Sequence, residues 1–196
     1  CTEQGRASIE TIAETASELL EHSRKAQLLG KIVDTREVRV ITLAEYVEDI
    51  AASAREAYPD ATIATDLDSV AVQAHPELRE GVRELIVNAV RHAPPGHDPH
   101  IDLWTSPETD SVTLFVEDDS GGLRESEITV LREEEESKLQ HGSGVGLWLV
   151  RWLAERSGGE MAIHQTDDGS RIGLTLPVAG EHDESADPSQ SIGPVS

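Results

Sequence analysis

The chain has one cysteine, at position 1, which excludes an internal disulfide and any cysteine-built metal cage. Aromatic residues make up 3% of it against 37% hydrophobic residues in all, so its core must be aliphatic. It has only three lysines, Lys25, Lys31 and Lys138. No apolar run is long enough to span a bilayer and no signal peptide is visible, so the segment reads as soluble and cytoplasmic, with no membrane contact of its own. The 38 Asp and Glu against 16 Lys and Arg give a net charge of −22, which repels phosphate backbones and anionic lipid. Nucleic acid is therefore not an expected partner. The acidic residues are spread along the chain, a pattern that fits adaptation to molar salt in a halophilic archaeon, where screening relieves self-repulsion. An ordinary acidic protein is the alternative.

What is present is organised around HGSGVGLWLVRWLA, His141 to Ala154. Gly142, Gly144 and Gly146 alternate with Ser143 and Val145, and an apolar helical run follows from Leu147. A glycine-rich loop opening into a helix offers unpaired N–H groups and the positive end of the dipole, which suits a phosphate. The spacing is neither Walker A nor a dinucleotide fingerprint, and a plain Gly-rich helix start reads equally well.

At 196 residues there is room for one domain and an appendage. Starting at Cys1 instead of Met, the sequence reads as a piece of a longer protein. Residues 7–33 place Ile9, Ile12, Ala16, Leu19, Ser23 and Ala26 in steps of three and four, a heptad seam that needs a partner helix. His22, beside that seam, reads as a solvated helix residue. Val38 to Ile41 reads as a strand. Thr42 and Glu45 read as a capping box for a helix to about Ala57, closed by Pro59. Ala61 to Leu67 and Val70 to His75 read as two strands.

Pro76 to Ala93 reads as an amphipathic helix with Pro76 in its first turn and Leu78, Val82, Leu85, Ile86, Ala89 and Val90 inward. Glu84, Asn88, Arg91 and His92 share another sector, and Asn88, inside the apolar run, reads as either a water-facing residue or an oxygen ligand. Ile101 to Thr105 and Val112 to Val116 read as a hairpin. The second strand ends in Glu117, Asp118, Asp119, then Ser120, Gly121 and Gly122. Carboxylates there can bind a metal, cap the turn or accept from an amine. Leu123 to Gln140, polar and aperiodic, reads as a lid or insert. Glu160 to Gln165 and Arg171 to Leu176 read as a last hairpin, and residues 180–196 as a disordered acidic tail.

In fixed order, Glu84-x-x-x-Asn88, Asp118-x-x-x-Gly122, a lid and Gly142-x-Gly144-x-Gly146-Leu147 resemble the N, G1 and G2 boxes of the GHKL ATP-binding fold of sensor histidine kinases. The run LQHGSGVGLWLVRWL resembles haloarchaeal members. The resemblance implies a two-layer α/β sandwich (α+β, the Bergerat fold) over residues 37–179, a mixed, mostly antiparallel sheet under three helices. Residues 1–36 would be the second helix of a dimerisation and histidine-phosphotransfer hairpin, so that the protein is a homodimer through that helix.

It also implies ATP and Mg²⁺, with Asn88 as metal ligand and Glu84 as the base for the acceptor histidine. Arg91 and His92 would lie near the phosphates, and Asp118 would accept the adenine amino group. Gly122, Ser170, Gly142, Ser143, Gly144, Val145, Gly146 and Leu147 would line the nucleotide. The implied partner downstream is a response regulator receiver domain. Departures are Ser120 in place of the first G1 glycine, the Asp167-Asp168-Gly169-Ser170 version of the third box, the absence of a lid phenylalanine, and the absence of an acceptor-histidine box. Two rival readings are a degenerate GHKL domain used as a dimerisation or signalling module, and a GHKL kinase acting on a serine of a partner.

Overall fold

The computed structural model describes Ser23, Gly30, residues 37–122 and residues 145–180. Ser23 and Gly30 are helical. The rest of the heptad segment, the segment read as a lid, the loop Gly142, Ser143 and Gly144, and the tail beyond Gly180 lie outside the described residues.

The elements follow in the order β1 (Arg39–Thr42), α1 (Leu43–Ala57), β2 (Thr62–Asp66), β3 (Ala71–Ala74), α2 (Leu78–His92), β4 (His100–Pro107), β5 (Ser111–Asp118), α3 (Val145–Arg156), β6 (Glu160–Gln165) and β7 (Ser170–Pro177). A five-stranded sheet runs β2-β4-β5-β7-β6, and β1 with β3 makes a separate ribbon. Among the described strands only β2 and β4 pair in parallel; the other pairs are antiparallel. A bridge between Val72 and Val178 joins the ribbon to the end of β7. This is the mixed α/β sandwich that the sequence led us to expect.

Period-2 alternation builds one face of the sheet. Ile101, Leu103 and Thr105 on β4, Val112, Leu114 and Val116 on β5, and Ile172, Leu174 and Leu176 on β7 are all buried. The helices cover that face with Leu43, Val47, Ile50, Ala51 and Ala54 of α1, Leu78, Val82, Leu85, Ile86 and Ala89 of α2, and Leu147, Leu149, Val150, Leu153 and Ala154 of α3. Each buried Leu or Ile contributes about 1.5–3 kcal/mol relative to exposure. No Trp, Tyr or Phe is among the buried core residues. Trp104 and Phe115 instead stack at 5.2 Å in positions of β4 and β5 that alternate with the core row. Gly81 lets α2 approach α3, since a Cβ there would lie 3.0 Å from Leu153 Cδ1.

Two local expectations need correction. The capping box at Thr42 does not form: Thr42 is the N-cap residue but makes no side-chain cap bond, and the Leu43 N–H donates to the Val70 carbonyl at 2.9 Å. Helix α2 starts at Leu78, two residues beyond Pro76, with no side-chain cap from Glu77. Its Arg79 N–H is taken by the Tyr46 hydroxyl of α1 at 2.8 Å, a tertiary cap across 33 residues of sequence. Burial pushes the Tyr46 phenol above its ordinary pKa, which keeps that oxygen a neutral hydroxyl. The two strands expected between Ala61 and His75 both form, β2 joining the main sheet and β3 the ribbon.

Candidate functional site

The candidate residues that are described fall into two groups. The first stands where β5 and β7 meet. Asp118 continues the inward row Val112, Leu114, Val116 by one more step of two, which puts a carboxylate at the end of an apolar row. In the antiparallel register it faces Ser170 on β7 and Ile101 on β4. The Ser170 hydroxyl donates to Asp118 Oδ2 at 2.6 Å, and the Ser120 N–H donates to Oδ1 at 2.9 Å. Both carboxylate oxygens are thereby oriented, while each keeps capacity to accept a further donor.

The turn after β5 is clamped to the turn between β6 and β7. Gly121 and Gly122 have φ of 83° and 79°, backbone that a side chain would strain. The Gly121 N–H donates to the Asp168 carbonyl at 2.8 Å. A Cβ on Gly122 would lie 2.6 Å from Gln165 Oε1 and 3.0 Å from the Gly169 carbonyl. Gly169 packs so closely that a Cβ there would strike the Asp118 carbonyl. The Ser120 side chain is buried in this clamp, and its Oγ finds no hydrogen-bond partner among the described residues.

The second group is on α2 and α3. Glu84, half-buried, reaches the first turn of α3, where a Cβ on Gly146 would collide with its carboxylate. A carboxylate at a helix N-terminus is favourably placed in the dipole field. Asn88 is half-buried one turn further along α2, Arg91 is exposed and His92 half-buried in its last turn. Val145 opens α3, and the Leu147 side chain is 2% exposed within the core. Leu147 therefore faces the core with its side chain and can meet a ligand only through its backbone. Among the described residues no group of three or more His, Cys, Asp or Glu is arranged to hold a metal ion.

Sequence reasoning overlooked several participants. Gln165 bounds the Gly122 cradle together with Gly169 of the third box, and nothing in the local sequence marks Gln165. Ser120 was visible only as a departure from glycine, whereas its N–H orients Asp118. Asp119, next in the chain, accepts from His97 Nε2 at 2.9 Å and from the His100 N–H at 2.8 Å, tying the α2–β4 loop to the β5 turn. Burial pushes the Asp119 carboxyl up, but the bonds from His100 and His97 outweigh it and hold its pKa below the ordinary value. The same contact raises the His97 pKa.

Two oriented carboxylate oxygens beside a glycine cradle make a group able to accept from an amine. Residues 74–180, more than half of the chain, match the family described as histidine kinase-, DNA gyrase B- and HSP90-like ATPase. The chain belongs to this ATPase family.

Among the relatives of this ATPase-family chain, a bacteriophytochrome of Pseudomonas aeruginosa is 27% identical over 180 residues, 88% of this chain and 24% of the relative. The sensor histidine kinase GtrS of the same organism is 30% identical over 106 residues, 53% of this chain and 21% of that protein. The chain thus spans about a quarter or less of their length. Among solved structures, the ATP binding domain of PrrB from Mycobacterium tuberculosis superposes with a TM-score of 0.59 at 23% identity, covering 72% of this chain and 98% of that one. The Acinetobacter baumannii histidine kinase AdeS gives 0.62 at 18% identity, covering 91% and 86%. At those identities the structures show the fold.

Proposed function

We propose that residues 37–179 are the ATP-binding catalytic region of a two-component sensor histidine kinase, which phosphorylates a histidine on an upstream helix for transfer to a response regulator. The single observation that carries the reading is the Asp118 carboxylate, fixed by Ser170 and the Ser120 N–H beside the Gly122 cradle. A carboxylate so held accepts from an amine and rejects a carbonyl, which selects adenine over guanine. Relatives named as histidine kinases support the kinase reading.

ATP supplies the phosphoryl group, and Mg²⁺ offsets the charge of its phosphates. Asn88 would hold the ion, Asp118, Gly122 and Ser170 the base, and Gly142 to Leu147 with Arg91 and His92 the phosphates. Glu84 is the general base for the acceptor imidazole, which must be neutral at the attacking nitrogen. Residues 1–36 would carry the dimer contact.

Calorimetric titration of the protein with ATP and Mg²⁺ in molar KCl tests this. Mg²⁺-dependent binding, lost in both Asn88→Asp and Asp118→Asn, is the expected result. A folded wild type that ignores millimolar ATP overturns the reading and leaves a scaffold module in its place.

A further inference from the structure

The ribbon of β1 and β3 has two unlike faces. On one, Ile41 is half-buried and Val72 and Ala74 enter the core, 0% and 1% exposed. On the other, Val40 stands opposite Gln73 and Thr42 opposite Ala71, and by alternation Val38 continues that side. Val38, Val40, Ala71 and Gln73 are all exposed. At 41% and 58%, Val38 and Val40 are the large hydrophobics left exposed among the described residues. A scattered surface valine is ordinary, but two on one side of a strand whose other side enters the core make an uncovered face. The ribbon is also fastened to the rest of the domain. The Leu43 N–H donates to the Val70 carbonyl, the Ala179 N–H to the Ala71 carbonyl, and the His75 N–H to Ser157 Oγ. A segment seated on this face is therefore held to the whole domain.

We propose that this face is the seat of residues 28–32 of the same chain, which turn back onto it and cover Val38 and Val40 with Leu28 and Ile32. Two observations name that occupant. First, the heptad seam, carried on from Ala26 in steps of four and three, reaches Gly30 and Val33, whereas helical spacing puts Leu28 and Ile32 about 160° around from it. Ser23 and Gly30 are helical and exposed, and a Cβ on Gly30 would meet nothing within 4 Å. The seam is thus clear for a helix from outside, and an apolar pair spaced i, i+4 is left on the far side, where a seam partner cannot cover it. Second, five residues, Val33 to Glu37, join Ile32 to Val38, four of them the polar run Asp34-Thr35-Arg36-Glu37. Connections of about two to six residues are usual between a helix and the strand that follows and packs with it. The inference stands apart from the nucleotide reading, since it uses none of the residues assigned to ATP.

Cysteine pairs in the full chain, made on a Cys1→Ser background, test the contact. Val40→Cys is combined with Leu28→Cys, with Ile32→Cys and, for the seam side, with Gly30→Cys. Each pair is oxidised mildly in dilute solution, and the linked peptides are identified by mass spectrometry. Position 28 or 32 should link to position 40 within one chain about tenfold faster than position 30 does, because a disulfide forms only where the two Cα atoms come close. Equal rates from the two sides of the helix overturn the proposal, and so do links that form only between two chains, which would make a second copy the occupant. A second measurement avoids cysteine. The double variant Val38→Thr with Val40→Thr keeps β-branched residues in the strand, and it should speed amide hydrogen exchange in residues 27–33 about tenfold while the sheet and α2 keep their protection. Exchange in residues 27–33 that matches wild type overturns the proposal.

Discussion

Ser170 donates its hydroxyl to Asp118 Oδ2 at 2.6 Å, across a register that sets the first residue of β7 opposite the last of β5. Ser170 is 2% exposed, so the bond is shielded on the serine side and assisted by the carboxylate charge. Hydrogen bonds to charged groups contribute roughly 1.5–3 kcal/mol. Ser170→Ala should therefore weaken ATP binding by about tenfold to a hundredfold, through an Asp118 that is no longer held in one orientation. Ser170→Thr, which keeps the hydroxyl, should stay near wild type. Titration calorimetry on the two variants decides it, and an unaffected alanine variant would show that this bond does not orient the carboxylate for its ligand.

Two glycines separate function from folding. At Gly146 an added Cβ meets the end of the Glu84 side chain, which can swing aside; at Gly169 it meets the carbonyl of Asp118, which belongs to a central strand and cannot. Gly146→Ala should keep a near-native melting temperature yet lose phosphotransfer to an acceptor histidine supplied on its own helix, because Glu84 is displaced. Gly169→Ala should lose about 3 kcal/mol or fail to fold. Circular-dichroism melts paired with a transfer assay would show the split. A Gly146→Ala variant that transfers at the wild-type rate would remove Glu84 from the base role.

The period-2 rows at Ile101, Val112 and Ile172, and the apolar stripe of α2, were legible in the sequence because alternation and helical spacing are local signals. Partnership was not. That β2 runs parallel to β4 while β3 turns to β1 depends on which edges remain open after the sheet assembles. That Tyr46 caps α2 depends on a helix packing 33 residues away. Asp118 stood out as a carboxylate at a strand end with three open roles and Ser170 entered through family resemblance, and only the β5–β7 register places one opposite the other. Ser120 read as a lost glycine because a side chain's burial and the bond made by its N–H are properties of the folded turn. The segment around Gly142, Ser143 and Gly144, around which the sequence reading was organised, lies outside the described residues.

Buried bonds join the ribbon to α3. The His75 N–H donates to Ser157 Oγ at 2.9 Å, and that hydroxyl donates to the Leu153 carbonyl at 2.8 Å, with His75 and Ser157 each 1% exposed. Ser157→Ala removes both bonds from the interior at once. A loss of about 1–3 kcal/mol should follow, read as a lower urea midpoint with an unchanged slope. A midpoint within error of wild type would mean that the His75 N–H finds another acceptor as the end of α3 relaxes.

The His97–Asp119 contact predicts a pH dependence with a definite sign. The bond to Asp119 raises the His97 pKa in the folded protein, so its contribution is complete below the ordinary imidazole value near pH 6.5 and fades as pH rises through the raised one. Asp119 behaves oppositely: its folded pKa is depressed, so its contribution holds above the ordinary carboxylate range and fades as pH falls through the lowered value. The two overlap around pH 5–6, where both partners are charged. Asp98 acts on His97 in the same direction, and His100 occupies itself with Asp102 at 3.2 Å. His97→Gln should therefore destabilise more at pH 5.5 than at pH 8.5 in urea melts. The difference should shrink in molar KCl, because the pair is exposed and screened. Nuclear magnetic resonance titration of the His97 ring should show its midpoint dropping in Asp119→Asn. Stability curves for wild type and His97→Gln that stay parallel from pH 5 to 9 would show that the loop is held to the β5 turn by the bonds between His100 and Asp119, without the His97 ring.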